Sequence, residues 1–205
     1  MRVFVRINLK IFVNGLENLP KHTERGAIIV ANHSSYLDII VVAVAVFQNL
    51  INLSWVVSRN NYRLWCLKPL WLVFKPIAVN GTIEKANKDL SANRWIVIYP
   101  EGGKVWCPPR EIKKRKPGKG AAIIGLTTGV PIIPVGITGA DIVLPPRDFK
   151  YNPRHPIIVR IGKPFTFEKI EQERISEEIL QEKTDFIMSK IEELKTRRIQ
   201  SQTCL

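Results

Sequence analysis

The residues best suited to chemistry are a histidine and an aspartate five positions apart. They are His33 and Asp38 in the stretch Asn32-His33-Ser34-Ser35-Tyr36-Leu37-Asp38. Imidazole moves protons near neutral pH, and a carboxylate beside it can fix its tautomer and stabilise the imidazolium that forms. The chain holds three histidines in 205 residues, so one in such a setting carries weight. In a single regular helix, five positions at 3.6 residues per turn would set the two side chains roughly 140° apart. They meet only if His33 lies in a turn and Asp38 in the first turn of the helix that follows. A purely structural reading competes: Ser35-x-x-Asp38 resembles a capping box, and acids favour a helix N-terminus. On this stretch alone the two readings are evenly matched.

The elements around the pair supply such a corner. Ala27 to Ala31 is a short apolar run with the composition of a buried strand, and residues 36–47 read as an apolar helix capped by Ser34 or Ser35. Further strands are expected at residues 51–57, 77–79, 95–99, 132–137 (with Pro134 as an interruption) and 157–161. Helices are expected at residues 83–90, at 120–128 with Gly129 closing it, and at 171–198. The last carries Ile175, Ile179, Ile187, Ile191 and Leu194 on one stripe. Strands alternating with helices predict an α/β fold: one domain over residues 1–205 with a mostly parallel central sheet flanked by helices. Its core would span about residues 10–165. A short N-terminal segment would cover one sheet edge, and a helical segment would occupy about residues 170–200. Apolar residues make up 45% and charged residues 24% of the chain, an ordinary globular balance.

A second corner repeats the logic of the first. The strand ending at Tyr99 runs into Pro100-Glu101-Gly102-Gly103-Lys104. The two glycines let backbone amides approach a ligand, and Lys104 can hold a phosphate as a point charge. Alone, this is also an ordinary turn. Parallel strands, however, would bring both corners to the same carboxyl edge of the sheet, where open α/β sheets bind ligands.

The net charge of +13 implies an anionic partner. Its densest cluster, Arg110 to Lys119, includes Lys113, Lys114, Arg115, Lys116 and Lys119 but no aromatic residue to stack on a base. Nucleic acid is therefore not the expected partner. Trp65 and Trp71 lie in a stretch of apolar residues edged by lysine and proline, the composition of a membrane interface or of a kinked core segment. The longest uncharged apolar run, Ile39 to Phe47, has nine residues, whereas a spanning helix needs about 20. Peripheral association with the cytoplasmic face of an anionic membrane is expected, through Trp65, Trp71 and the basic cluster. The three cysteines, Cys66, Cys107 and Cys204, form no pair at metal or redox spacing. No metal and no cofactor are expected.

The chain resembles the glycerolipid acyltransferases, the group containing the 1-acylglycerol-3-phosphate acyltransferases. His33-x4-Asp38 is similar to that family's His-x4-Asp motif, and Pro100-Glu101-Gly102 to the start of its Pro-Glu-Gly-Thr-Arg block. Lys119-Gly120-Ala121 resembles the step into the next helix. Val130-Pro131-Ile132-Ile133-Pro134-Val135 resembles the Val-Pro-Ile-x-Pro-Val block, and Asn14 to Pro20 the segment before the first strand. The order holds over roughly residues 10–165. The resemblance implies transfer of a fatty acyl group from acyl-CoA or acyl carrier protein to the hydroxyl of a lysophospholipid, in phospholipid biosynthesis. It makes His33 the base and Asp38 its partner, and it gives Asn32, Glu101, Gly102, Gly103 and Lys104 to substrate binding.

Two departures fall on the acceptor side. Residues 77–81, Ile-Ala-Val-Asn-Gly, lack the arginine usual in the family's second block, and Gly103-Lys104 replace the usual Thr-Arg. Lysine keeps the charge but loses the bidentate fork. An acceptor without a terminal phosphate is therefore an alternative. So are thioester hydrolysis and a non-enzymatic basic module that binds membranes or nucleic acid.

Overall fold

The structure, a computed structural model, describes residues 9–20, 26–47, 53–57, 76–78, 82–102, 116–145 and 150–196. Seven strands run through them: β1 (Ile11–Asn14), β2 (Ile28–Ala31), β3 (Leu53–Val57), β4 (Pro76–Ala78), β5 (Trp95–Ile98), β6 (Ile132–Thr138) and β7 (Ile157–Ile161). The helices are α1 (Asp38–Phe47), α2 (Thr82–Ser91), α3 (Gly120–Thr128), the single turn α4 (Ala140–Val143) and α5 (Glu177–Thr196). The strands form one sheet in the order β1-β7-β6-β2-β5-β3-β4. Every neighbouring pair is parallel except β6 and β7, so the mostly parallel α/β sheet expected from the alternation of elements is present.

The central strands are apolar because both of their faces are covered. All four residues of β2 and of β5 are buried, the signature of a parallel sheet between helical layers. On one face, Ile29, Val97, Ile133 and Val135 pack with Leu37, Val41, Val42, Ala45 and Val46 at the start and inner side of α1. On the other, Ile28, Val30, Ile96 and Ile132 pack with Ala86 and Leu90 of α2, Ile124 of α3, and Ile187 and Ile191 of α5. Burying each such valine, isoleucine or leucine contributes about 1.5–3 kcal/mol.

Three local features differ from the sequence reading. The N-terminal segment does more than cover an edge. Residues 11–14 are themselves the edge strand, paired in parallel with β7 from Ile11 opposite Ile157 to Asn14 opposite Arg160. Pro134 does not interrupt β6, because it sits just beyond the last pair of the β6–β7 ladder, Val135 with Ile161. Its carbonyl accepts the Gly162 amide at 2.8 Å, so its missing N–H removes one terminal bond only. The C-terminal helix begins at Glu177 rather than 171, after a short 3-10 turn at Gln172–Arg174. Within that helix Ile187, Ile191 and Leu194 are buried, as the stripe requires. Helix α5 crosses β6 at Gly136, where a Cβ would lie 2.7 Å from the Leu194 Cβ. Glycine there permits the close approach that seals this face of the sheet.

Candidate active site

The register of β2 against β5 decides what meets at the carboxyl edge. Val30 lies opposite Ile98, so the chains leaving the two strands start side by side. After Ala31 the backbone turns, and α1 begins at Asp38. His33 therefore lies in the turn and Asp38 at the first helical position, the arrangement in which the two can touch. His33 Nδ1 is 2.9 Å from Asp38 Oδ2. The side chain of Asp38 is fully buried, and that of His33 retains 10% exposure.

Asp38 serves two tasks with one oxygen. Its Oδ2 also accepts the backbone amides of Ser34 at 2.6 Å and Ser35 at 2.8 Å. The same oxygen thus caps the turn and holds the imidazole. Three donors and the start of α1 favour negative charge at this point. An ionised carboxylate is an acceptor only, so it fixes the proton on Nδ1 and leaves Nε2 as the basic nitrogen. Its second oxygen, Oδ1, is buried and has no hydrogen-bond partner.

The rest of the corner is tied down from several directions. Ser35, fully buried, donates its hydroxyl to the Leu144 carbonyl at 2.8 Å and accepts the Leu37 amide at 3.2 Å. This anchors the turn to the end of α4 and commits the Ser35 oxygen to structure. Asn32 is only 2% exposed. Its amide nitrogen donates to the Ile137 carbonyl at 2.8 Å, and its oxygen accepts the Ile137 amide at 2.7 Å. The substrate contact expected of Asn32 gives way to a positioning role, because its side chain extends the pairing of β2 with β6 just before His33.

Tyr99, the residue after β5, was not singled out by the sequence reading. Its ring stacks on His33 with centroids 4.4 Å apart and planes 24° apart, and it approaches Trp55 of β3 at 6.1 Å. Its hydroxyl is buried without a hydrogen-bond partner. Burial, reinforced by the Asp38 charge, holds the phenol well above its ordinary pKa. The signal was the spacing: Tyr99 follows Val97 by two positions and so faces the same side of the sheet, the side on which α1 lies.

The second corner is open by comparison. The Gly102 amide donates to the Tyr99 carbonyl at 3.0 Å, closing a turn over Pro100 and Glu101. Gly102 has φ +67° with no atom within 4 Å of where a Cβ would sit. Glycine is needed here for the left-handed backbone and not for space. Glu101 is partly buried and Gly102 exposed. The Pro100 carbonyl accepts the Gly118 amide at 2.7 Å, which brings the approach to α3 beside the Glu101 turn.

A family model described as Acyltransferase matches residues 10–138, more than half of the chain and the part that contains both corners. The chain belongs to the acyltransferase family. It is an acyltransferase by that membership, with the His-x4-Asp pair in hydrogen-bonding contact. The crystal structure of the 1-acyl-sn-glycerophosphate (LPA) acyltransferase PlsC from Thermotoga maritima is similar to it in fold. The TM-score is 0.59 at 21% identity, over 95% of this chain and 76% of that one. No curated protein sequence matches significantly.

The acyltransferase's remaining candidate residues divide by position. Lys116 is exposed. Lys119 pairs with Glu177 at the start of α5, an acid placed where a helix N-terminus favours one. Gly103, Lys104, Lys113, Lys114, Arg115, Trp65 and Trp71 lie outside the described residues. Among the described residues no helix is long and apolar enough to cross a membrane.

Proposed function

We propose that the enzyme is a glycerolipid acyltransferase that moves a fatty acyl group from a thioester, acyl-CoA or acyl carrier protein, to the hydroxyl of 1-acylglycerol-3-phosphate. The observation that carries the reading is the His33–Asp38 contact of 2.9 Å at the carboxyl edge of the sheet, in a chain of the acyltransferase family. An alcohol is a poor nucleophile until a base takes its proton. His33 Nε2 takes that proton as the oxygen attacks the thioester carbonyl, and Asp38 stabilises the imidazolium. Collapse of the tetrahedral intermediate breaks the C–S bond, and the proton passes from His33 to the departing sulfur. A thiol pKa of about 8.5 makes thiolate a good leaving group without a strong acid. The chemistry needs no enzyme nucleophile, in keeping with the commitment of Ser35 to Leu144 and Leu37, and it draws on no resident cofactor or metal.

The acceptor head group would be received by the Glu101–Lys104 turn, with Gly102 giving backbone access. The enzyme would work from the cytoplasmic face of an anionic membrane as a peripheral protein, with the +13 charge favouring that surface. A specific observation favours a second acceptor class. With no arginine at residues 77–81 and Lys104 in place of arginine, phosphate loses its bidentate partners.

A panel of lysophosphatidate, lysophospholipids with larger head groups, glycerol 3-phosphate and neutral alcohols, each with radiolabelled acyl-CoA, separates the two. Lysophosphatidate is expected to be the best acceptor. Equal use of an acceptor lacking the terminal phosphate would replace the first reading with the second. Release of free fatty acid without any acylated product would replace both with hydrolysis.

A further inference from the structure

One buried donor and one buried acceptor in the dyad corner have no hydrogen-bond partner: the Tyr99 hydroxyl and Asp38 Oδ1. Leaving such a group unpaired costs about 1–3 kcal/mol, and more for a charged one. Both belong to residues that already hold His33. Asp38 grips its Nδ1 at 2.9 Å, and the Tyr99 ring lies under its face at 4.4 Å. The Asp38 charge is close enough to the phenol to help keep its proton on. Tyr99 is therefore a hydrogen-bond donor throughout the pH range in which a histidine base works. Buried polar groups without a direct partner are commonly served by one ordered water.

We propose that Tyr99 is a positioning residue for His33, its ring fixing the imidazole plane and its hydroxyl serving Asp38 Oδ1 through one bridging water. The two parts have separable consequences. The ring blocks rotation of the imidazole about its χ2 bond and keeps Nε2 aimed at the acceptor hydroxyl. The hydroxyl tempers the carboxylate: with a donor on Oδ1, Oδ2 pulls less strongly on the Nδ1 proton. Without that donor Oδ2 grips the Nδ1 proton more tightly, and the hydrogen bond that orients the ring changes in strength.

Two substitutions and a resting-state measurement test this. Tyr99→Phe keeps the ring and loses the hydroxyl. Its kcat/KM should fall about threefold across the pH profile. The downfield proton resonance of His33 Nδ1–H, identified by its loss in His33→Ala, should move further downfield. Tyr99→Leu loses both parts, and kcat should fall about 30-fold or more with KM within about twofold, the pattern of a misaimed base. Thermal melts of both variants verify folding, and Tyr99→Phe decides alone if Tyr99→Leu does not fold. A Tyr99→Phe enzyme with wild-type profile and resonance would overturn the hydroxyl's role. A folded Tyr99→Leu enzyme with wild-type kcat would overturn the ring's. The kinetic arm rests on the acyl-transfer reading and the resonance does not. Wild-type protein without transferase activity would therefore sink that reading, while the resonance still judged the inference.

Discussion

The two corners at the carboxyl edge leave adjacent parallel strands, yet they are built oppositely. The corner after β2 has no glycine. One carboxylate oxygen there accepts three donors, Asn32 is sealed by the Ile137 backbone, and Ser35 is bonded on both sides. The corner after β5 turns on Gly102, which is exposed and has open space around it. Proton transfer tolerates little misplacement, so its residues are over-determined. Recognition of a head group needs exposed backbone and room. On the proposed function, chemistry falls to the first corner and acceptor selection to the second.

Substitutions can break that division, beginning with the largest effect. His33→Ala should reduce transfer from labelled acyl-CoA by about 10³-fold or more, with a melting temperature near that of wild type, because Asp38 keeps the Ser34 and Ser35 amides as donors. A folded, fully active variant would remove the division altogether. Asp38→Asn should differ in kind, since Asp38 Oδ2 serves both the imidazole and two amides. Activity should fall about 10²-fold or more, within the range a positioned base contributes, and stability by about 1–2 kcal/mol, measured by urea unfolding. Loss of activity alone would mean that the Ser34 and Ser35 bonds contribute nothing to folding.

Asn32→Ala should be chiefly a stability variant. Leaving the Ile137 amide and carbonyl unpaired in the core should cost about 2–4 kcal/mol, a drop of roughly 5–12 °C in Tm. An unchanged Tm with a raised acceptor KM would return Asn32 to substrate binding. Gly102→Ala should have the smallest effect on folding, about 1 kcal/mol from the left-handed backbone, because no neighbour obstructs the added methyl. Its expected signature is a higher acceptor KM with an unchanged thioester KM. A change in both would extend the second corner's role to the donor.

Much of this layout was legible because the chain's local signals agree with its tertiary ones. Strands β2, β5 and β7 follow apolar runs, and α3 ends at Gly129 as read. The His33–Asp38 contact followed from helix geometry, since five residues cannot meet within a helix but can across its N-terminus. What escaped lay in registers between distant segments. The edge strand β1 has no strong pattern of its own and is defined by pairing with β7, 146 positions later at Ile11–Ile157. Asn32 reads as a substrate contact until Ile137 is placed beside it. Tyr99 reads as the last residue of an apolar strand until the β2–β5 register sets it under His33. Lys119 reads as part of a basic run until α5 offers Glu177. In each case a long-range partner overrode a local reading.

The single bond from the Gly118 amide to the Pro100 carbonyl has a consequence for how this enzyme can change. It ties the chain leaving β5 to the chain entering α3 at one point, 2.7 Å across. Whatever length or sequence lies between, the stems are stapled, and doubling that length adds only about 0.6 kcal/mol of closure entropy. On the proposed function, exchanging the residues between these stems for those of another acyltransferase should shift acceptor preference while His33 and Asp38 stay in place. Selection could rewrite the substrate of such an enzyme without touching its catalyst.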